Sequence, residues 1–455
     1  MSTLTSKDLA TIAANRFGLG ATKGEIASAQ KNPKAWLKEQ LVPVSFDKGL
    51  PNSDQITLQI NDLNMQKKML KKDRSENGMA AQVENNKKRT KLIKSSYVQL
   101  ATDSFVQALN SKNSLSWRLL DFYSNHFSVS GQGPVMKAIA PTLEREAIAP
   151  NLHGKFEQML IAVIQHPTML IYLNNERSYG ENSRLGKNGK GLNENLAREI
   201  LELHTLGVDA GYNQQDVIEL AKGITGWSVA HPRRDKTTGF KFRAWGKEPG
   251  TRTLLGKQYP QADMSQGIAM LKDLANHPNT AKHICTKLVK HFISDQPNKD
   301  LVDAMTKVWL KTGGDLKQVT SAMIDNDLAW QAESQKFKTP REYLMSTLRA
   351  LNLKNINHKK LLFTLESFGQ QPFQAGSPKG YSDEQQDWDG SNSLMSKIDW
   401  TAMLARQMRK ANAENIMNNS LALSADSSTY KSIVRAESRS QAFVMLFLSP
   451  EFLRR

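Results

Sequence analysis

Apolar positions along the chain recur mostly at three- and four-residue spacing, which predicts helices over most of its length. The clearest case ends at His126. Leu115, Leu119, Phe122 and His126 fall at i, i+4, i+7 and i+11, within about 60° of one another on a helical wheel. That spacing centres His126 on a buried face and leaves Asp121 and Asn125 on the far side. Residues 7–42 predict two helices around Arg16–Thr22, with a turn at Gly18 and Gly20 and a cap at Thr22. Residues 60–97 predict a helical hairpin with Gly78 near its turn. A helix over 135–149 carries Glu144, Arg145 and Glu146, and His166-Pro167 separates two apolar helical pieces after it. Short alternation with turn residues occurs between 228 and 260, so a small β-hairpin insertion is expected near residues 238–257.

The densest polar chemistry sits in Asn193–Gly207, which reads as a helix with a start and a stop. Asn193 is the expected N-cap, and Glu194 puts negative charge in the first turn. Gly207 is the expected left-handed stop, placing Val208 over Leu203. On a wheel, Leu196, Ala197, Ile200, Leu201, Leu203 and His204 share an apolar arc of about 160°, with His204 near its centre. Asn195, Arg198, Glu199 and Glu202 occupy an arc of about 100° on the other side. Glu199 and His204 are then about 140° apart, so a Glu/Glu/His chelate on this one helix fails on geometry. The polar loop before it, residues 178–192, lacks the spacing, the Ser/Thr and the preceding strand of a P-loop. Its Arg184, Lys187 and Lys190 nevertheless lead into a helix N-terminus, where an anion is favoured.

Together these elements predict a mainly α fold. It is a multi-helix assembly forming a single continuous domain over residues 1–455, with a central motif region at 115–227 and a C-terminal helical region at 277–455. Hydrophobic content of 39% with 23% charged residues is that of a globular chain. No apolar run reaches the roughly 18 residues of a membrane-spanning helix, and no apolar h-region marks a secretory signal. The single cysteine, Cys285, excludes intrachain disulfides and cysteine-based zinc sites. The net charge of +17 has a local cause. Residues 67–94 hold ten Lys/Arg against Asp73, Glu76 and Glu84, which supplies seven of the seventeen excess charges. Such a patch suits nucleic acid, an anionic polymer or a membrane surface, or is simply a solvated hairpin. It has no aromatic side chain for stacking bases.

Several stretches resemble the bacterial domain-of-unknown-function family numbered 1800. They are Asn125-His-Phe-Ser-Val-Ser130, His166-Pro-Thr-Met-Leu170, the whole of Asn193–Gly207, Gly211-Tyr-x-Gln-x-Asp216 and Thr225-Gly-Trp227. Further ones are His277-Pro-x-Thr-Ala281, Gly369-Gln-x-Pro-Phe373, Pro378-x-Gly-Tyr381 and Ser449-Pro-Glu-Phe452, in family order over nearly the whole chain. Lys247-Glu-Pro-Gly250 departs from the pattern, since members usually carry a histidine at the lysine position. The resemblance implies a mostly helical bacterial protein, often exported in relatives and often encoded beside a sulfatase-like protein, which is thereby a candidate partner. It implies no known reaction.

The residues themselves leave two candidate sites. In one, His126 and His204 meet in the interior and, with a carboxylate such as Glu144 or Glu146, hold a divalent metal or do acid/base work. In the other, Asn195, Arg198, Glu199 and Glu202 line a cleft, where paired carboxylates hold a cation or one of them titrates high. Against both stands a plain structural reading. Buried histidines commonly bond a carbonyl, and Glu194–Arg198–Glu202 at i, i+4 spacing is an ordinary ion-pair ladder. The leading functional expectation is an enzyme with a metal-assisted or acid/base site for an anionic or polymeric substrate. The alternative is a non-catalytic protein that binds a polyanion or partner through its basic surface.

Overall fold

The computed structural model describes residues 4–189, 191–331, 336–408 and 410–455. Lys190 of the expected anion loop lies outside them. Helices dominate, and one contiguous hydrophobic core contains residues from Ala10 to Leu453. Among the described residues the β-structure consists of two small antiparallel ladders and two isolated bridges, Lys155 with Asp315 and Phe337 with Arg454. Strand β1 (Trp227–Val229) pairs with β2 (Phe240–Phe242), and β3 (Arg252–Leu254) pairs with β4 (Lys257–Tyr259). The second ladder closes through Leu255 and Gly256, with φ of 50° and 76°. Two consecutive positive φ values match the twist of a tight hairpin. No described helix is long and apolar enough to cross a membrane.

The expected basic hairpin is formed by helices Ser53–Leu70 and Glu76–Asn110. At the N-terminal end of the chain the expected cap moves. Gly24, at φ 89°, caps Glu25–Ala29, while the Thr22 N–H donates to the Glu25 carboxylate at 2.8 Å.

Three π-turns depart from the regular spacing: Ala13–Phe17, Glu144–Ile148 and Ile200–His204. Each carries a buried ionisable side chain, Arg16, Glu144 and His204 respectively. A π-turn inserts one residue into the helical ladder, so a wheel drawn at constant rotation loses register there. The helix expected over 135–149 is therefore Pro134–Ile139 followed by the π-turn at Glu144–Ile148. The central segment is a short helix, Asn195–Glu199, continued by Ile200–His204. The N-cap is Glu194 rather than Asn193 and makes no side-chain cap; Asn193, one residue earlier, accepts from the Asn195 N–H at 2.9 Å, and Gly207 has φ 94°. Val208 does not cover Leu203. The Gly207 N–H reaches back to the Leu201 carbonyl at 3.1 Å, and Val208 leaves the core 65% exposed.

A buried knot of charge joins distant parts of the chain. Glu342 starts the helix Pro340–Ala350 in a capping box with Thr339. Its carboxylate accepts from Arg118 at 2.5 Å and Arg455 at 2.7 Å. Arg118 also donates to the Gly18 carbonyl at 2.7 Å, and Arg455 to the carbonyls of His291 and Phe292 at 2.8 and 3.1 Å. Burial resists ionisation of Glu342, but the guanidiniums of Arg455 and Arg118 outweigh it and hold the pKa at about 2. Removing the carboxylate strands two buried cations. Glu342→Gln is therefore expected to cost about 3–5 kcal/mol in urea denaturation, and an unchanged midpoint would show that the knot carries no stability.

Candidate functional site

His126 and His204 do approach in the interior, with ring centroids 6.0 Å apart. The reason lies in the end of the central helix. Its last carbonyls have no donor within the helix, and two imidazoles from other helices supply them. His126 Nε2–H donates to the His204 carbonyl at 3.2 Å, and His283 Nε2–H to the Leu203 carbonyl at 3.3 Å. Lys287, one turn beyond His283 on the helix Pro278–Phe292, donates from Nζ to His126 Nδ1 at 2.9 Å. A cation near this C-terminal end also suits the helix dipole. Burial, then Lys287, holds His126 well below its ordinary range, and the same causes lower His204 to about 3 and His283 to about 4. Burial likewise lowers Lys287 to about 8, opposed by Asp383.

Both nitrogens of His126 are thus engaged. Those of His204 are buried without a hydrogen-bond partner among the described residues. Neither expected carboxylate joins the pair. Glu144 receives Ser124 at 3.0 Å, and Glu146 receives Ser53 Oγ at 2.6 Å and His166 Nε2 at 3.0 Å. Among the described residues, no group of three or more His, Cys, Asp or Glu side chains converges on a metal position.

The polar face of the central helix lies apart from the histidines. Arg198 reaches Glu194 and Glu202 at 3.4 Å each and Gln214 at 2.8 Å. This is the i, i+4 ladder, half open to solvent. Glu199 is pushed up by burial and by Glu202. The loop before the helix packs elsewhere, with Asn182 donating from its backbone and side chain to Glu248 at 3.0 and 2.6 Å. Lys247, at the position where a histidine was expected, is buried. Its ammonium donates to Gln266 at 2.6 Å and to the carbonyls of Glu248 and Lys222 at 3.0 and 3.1 Å.

The far side of the Ser114–His126 helix faces a cavity of about 110 Å³. Asp121, Ser124 and Asn125 line it, together with Arg118, Glu144, His291, Arg341, Glu342 and Asp383. Its rim is stitched from stretches far apart in sequence. Asn125 pairs both ways with the backbone of Tyr381, donating to its carbonyl and accepting from its N–H at 2.8 Å each. Gly380 is required beside this pair, because it has φ 82° and a Cβ there would lie 2.6 Å from the Asn125 carbonyl oxygen. Gly131 N–H donates to the Phe373 carbonyl at 2.8 Å, and Tyr97 to the Pro372 carbonyl at 2.7 Å.

Three groups set the electrostatics of this cavity. Burial pushes the Glu144 carboxyl up to about 7, against the pull of Arg341, which itself pairs with Asp121 at 2.7 Å. His291 Nδ1–H donates to Asp383 at 3.0 Å, and its Nε2 is buried without a partner among the described residues. Burial lowers His291 more than Asp383 raises it, so the ring is neutral near pH 7. Burial opposes ionisation of Asp383, but His291, Lys336 and Arg455 outweigh it and keep its pKa well below the usual carboxylate range. The sequence offered Glu144 only as a partner for His126 and His204. Asp383, Arg118, Arg341, Glu342 and Lys287 carried no local signal, because tertiary contacts alone define their roles.

These features define a mainly helical protein with a charged cavity built from dispersed segments. Residues 12–454 match the family described as "Protein of unknown function (DUF1800)", and the chain belongs to that family. No curated protein and no solved structure matches it.

Glu144 has a measurable cost. Between about pH 4.5 and 7 the unfolded chain has lost this proton while the folded chain keeps it, so stability falls as pH rises through that window. Glu144→Gln removes the penalty. It is expected to gain about 2–3 kcal/mol more, relative to the unsubstituted chain, at pH 8 than at pH 5 in urea denaturation. An equal effect at both pH values would contradict the raised pKa.

Proposed function

We propose that the protein is an acid/base enzyme whose working site is the cavity beside Asn125 and Tyr381. One observation carries the reading. A buried carboxyl that titrates near neutrality and a neutral imidazole oriented by a carboxylate line the same cavity. Pairs of titratable groups pushed in different directions mark acid and base roles. Glu144 is the proton donor. His291 is the acceptor at Nε2, and Asp383 is a positioning residue that fixes its tautomer.

The cavity has room for a few waters or one small functional group, so the reacting part is a small group or the end of a larger molecule. Three carboxylates (Asp121, Glu342 and Asp383), the Glu144 carboxyl and two guanidiniums (Arg118 and Arg341) line it. That balance favours a neutral hydroxyl-, ester- or amide-bearing group over an anionic one. Hydrolysis is the reaction class that most directly uses a neutral-range acid and a separate base. A metal-assisted reaction at His126 and His204 has less support, since Lys287 and the His204 carbonyl occupy both His126 nitrogens.

Turnover of a panel of neutral nitrophenyl esters, anilides and glycosides tests this reading. The expected activity declines above about pH 7 as Glu144 loses its proton, and falls at low pH as His291 gains one. Glu144→Gln and His291→Asn should each lower kcat/KM by roughly 10²–10⁴-fold with unchanged circular dichroism. No turnover across the panel, or turnover unchanged in both variants, would overturn the reading.

A further inference from the structure

The helical hairpin of Ser53–Leu70 and Glu76–Asn110 extends well beyond the core that anchors it. Between Ile60 and Ile93, only Gly78 and Asn85 are buried among the described residues. The Glu76 to Ile93 stretch of helix is about 25 Å long at the standard rise. Polar contacts hold the arm together rather than a core. Asn85 donates to Gln66 at 2.9 Å, Gln82 to the Leu70 carbonyl at 3.1 Å, and Ser75 to Asp73 at 2.6 Å in the turn.

The distal part of this arm combines two kinds of exposed side chain. Met69 is 71% exposed, and Met79 and Val83 are 54% exposed each. Met79 and Val83 stand one turn apart on one face of their helix. Around them Lys68, Lys71, Lys72, Arg74, Lys87, Lys88 and Lys91 are exposed. None of these cations is in an ion pair among the described residues. Apolar side chains left in water on a polar arm have no folding role there, and closely spaced cations repel one another. A surface that is both anionic and apolar relieves both costs at once. Nucleic acid offers only the first, and the arm has no aromatic side chain between residues 61 and 94 to stack on bases.

We propose that the tip of this hairpin docks on anionic lipid bilayers, with the lysines at the headgroups and Met69, Met79 and Val83 entering the interfacial layer. The surface is separate from the cavity, and its role does not depend on the acid/base reading. Sedimentation of the full chain with vesicles tests it, using phosphatidylcholine alone or mixed with phosphatidylglycerol. The expected result is binding to the mixed vesicles only.

Lys71→Gln/Lys72→Gln/Lys87→Gln should weaken that binding on the order of 100-fold. Met69→Ser/Met79→Ser/Val83→Ser, which leaves the charge intact, should weaken it roughly tenfold. All six positions are outside the core, so the fold is expected to persist and is checked by circular dichroism. Absence of binding to the mixed vesicles would overturn the proposal. So would binding indifferent to the serine substitutions, or a duplex oligonucleotide that binds more tightly and is equally indifferent to them, since either outcome identifies a polyanion site without membrane insertion.

Discussion

Glu342 is the point on which the rest of the architecture depends. Its single carboxylate pairs with both Arg118 and Arg455, and those guanidiniums in turn satisfy carbonyls at Gly18, His291 and Phe292. Segments from both ends of the chain and from its middle are thereby held at one buried spot. A low-dielectric interior makes this contact stringent, because a carboxylate there without partners, or guanidiniums without a carboxylate, would be costly. The cavity lies against this knot and shares Arg118 and Glu342 with it. His291, whose carbonyl is bound by Arg455, reaches the cavity from the same place. The site is therefore built against the contact that joins these distant segments.

The parts of this arrangement legible in the sequence are those that depend on local periodicity. The regular spacing of Leu115, Leu119, Phe122 and His126 predicted that His126 faces inward, and it is buried. The same reading placed Asp121 and Asn125 on the far side without showing what covers it. Arg341 and Tyr381, more than two hundred residues later, cover it through contacts that no local pattern encodes. The Gly380-Tyr381 pair stood out in the sequence, yet its reason became physical only when Asn125 was found against it. The π-turns were illegible for a different cause. An inserted residue changes the rotation after it, so the wheel through Ile200–His204 described a regular helix that is not there.

The central helix keeps its two faces, with different weights. Its inward end is a capped terminus: His126 and His283 serve its last carbonyls, and Lys287 completes the cluster. His204 remains the odd member, a buried ring whose nitrogens find no partner among the described residues. Its outward face is an ion-pair ladder through Arg198. The site proposed for chemistry lies one helix away, on the opposite side of the Ser114–His126 helix. There Glu144 holds a proton that water would remove, and it does so at a cost to stability. Groups maintained at such a cost are common where a protein needs their reactivity.

The raised Glu144 carboxyl is the central claim, and its protonation is directly observable. Carbon-detected NMR of the intact chain labelled at glutamate carboxyl carbons follows each carboxyl through its own titration, with Glu144→Gln assigning the signal. The predicted midpoint is about 7. A midpoint in the ordinary glutamate range near 4.3 would contradict it and remove the acid from the site.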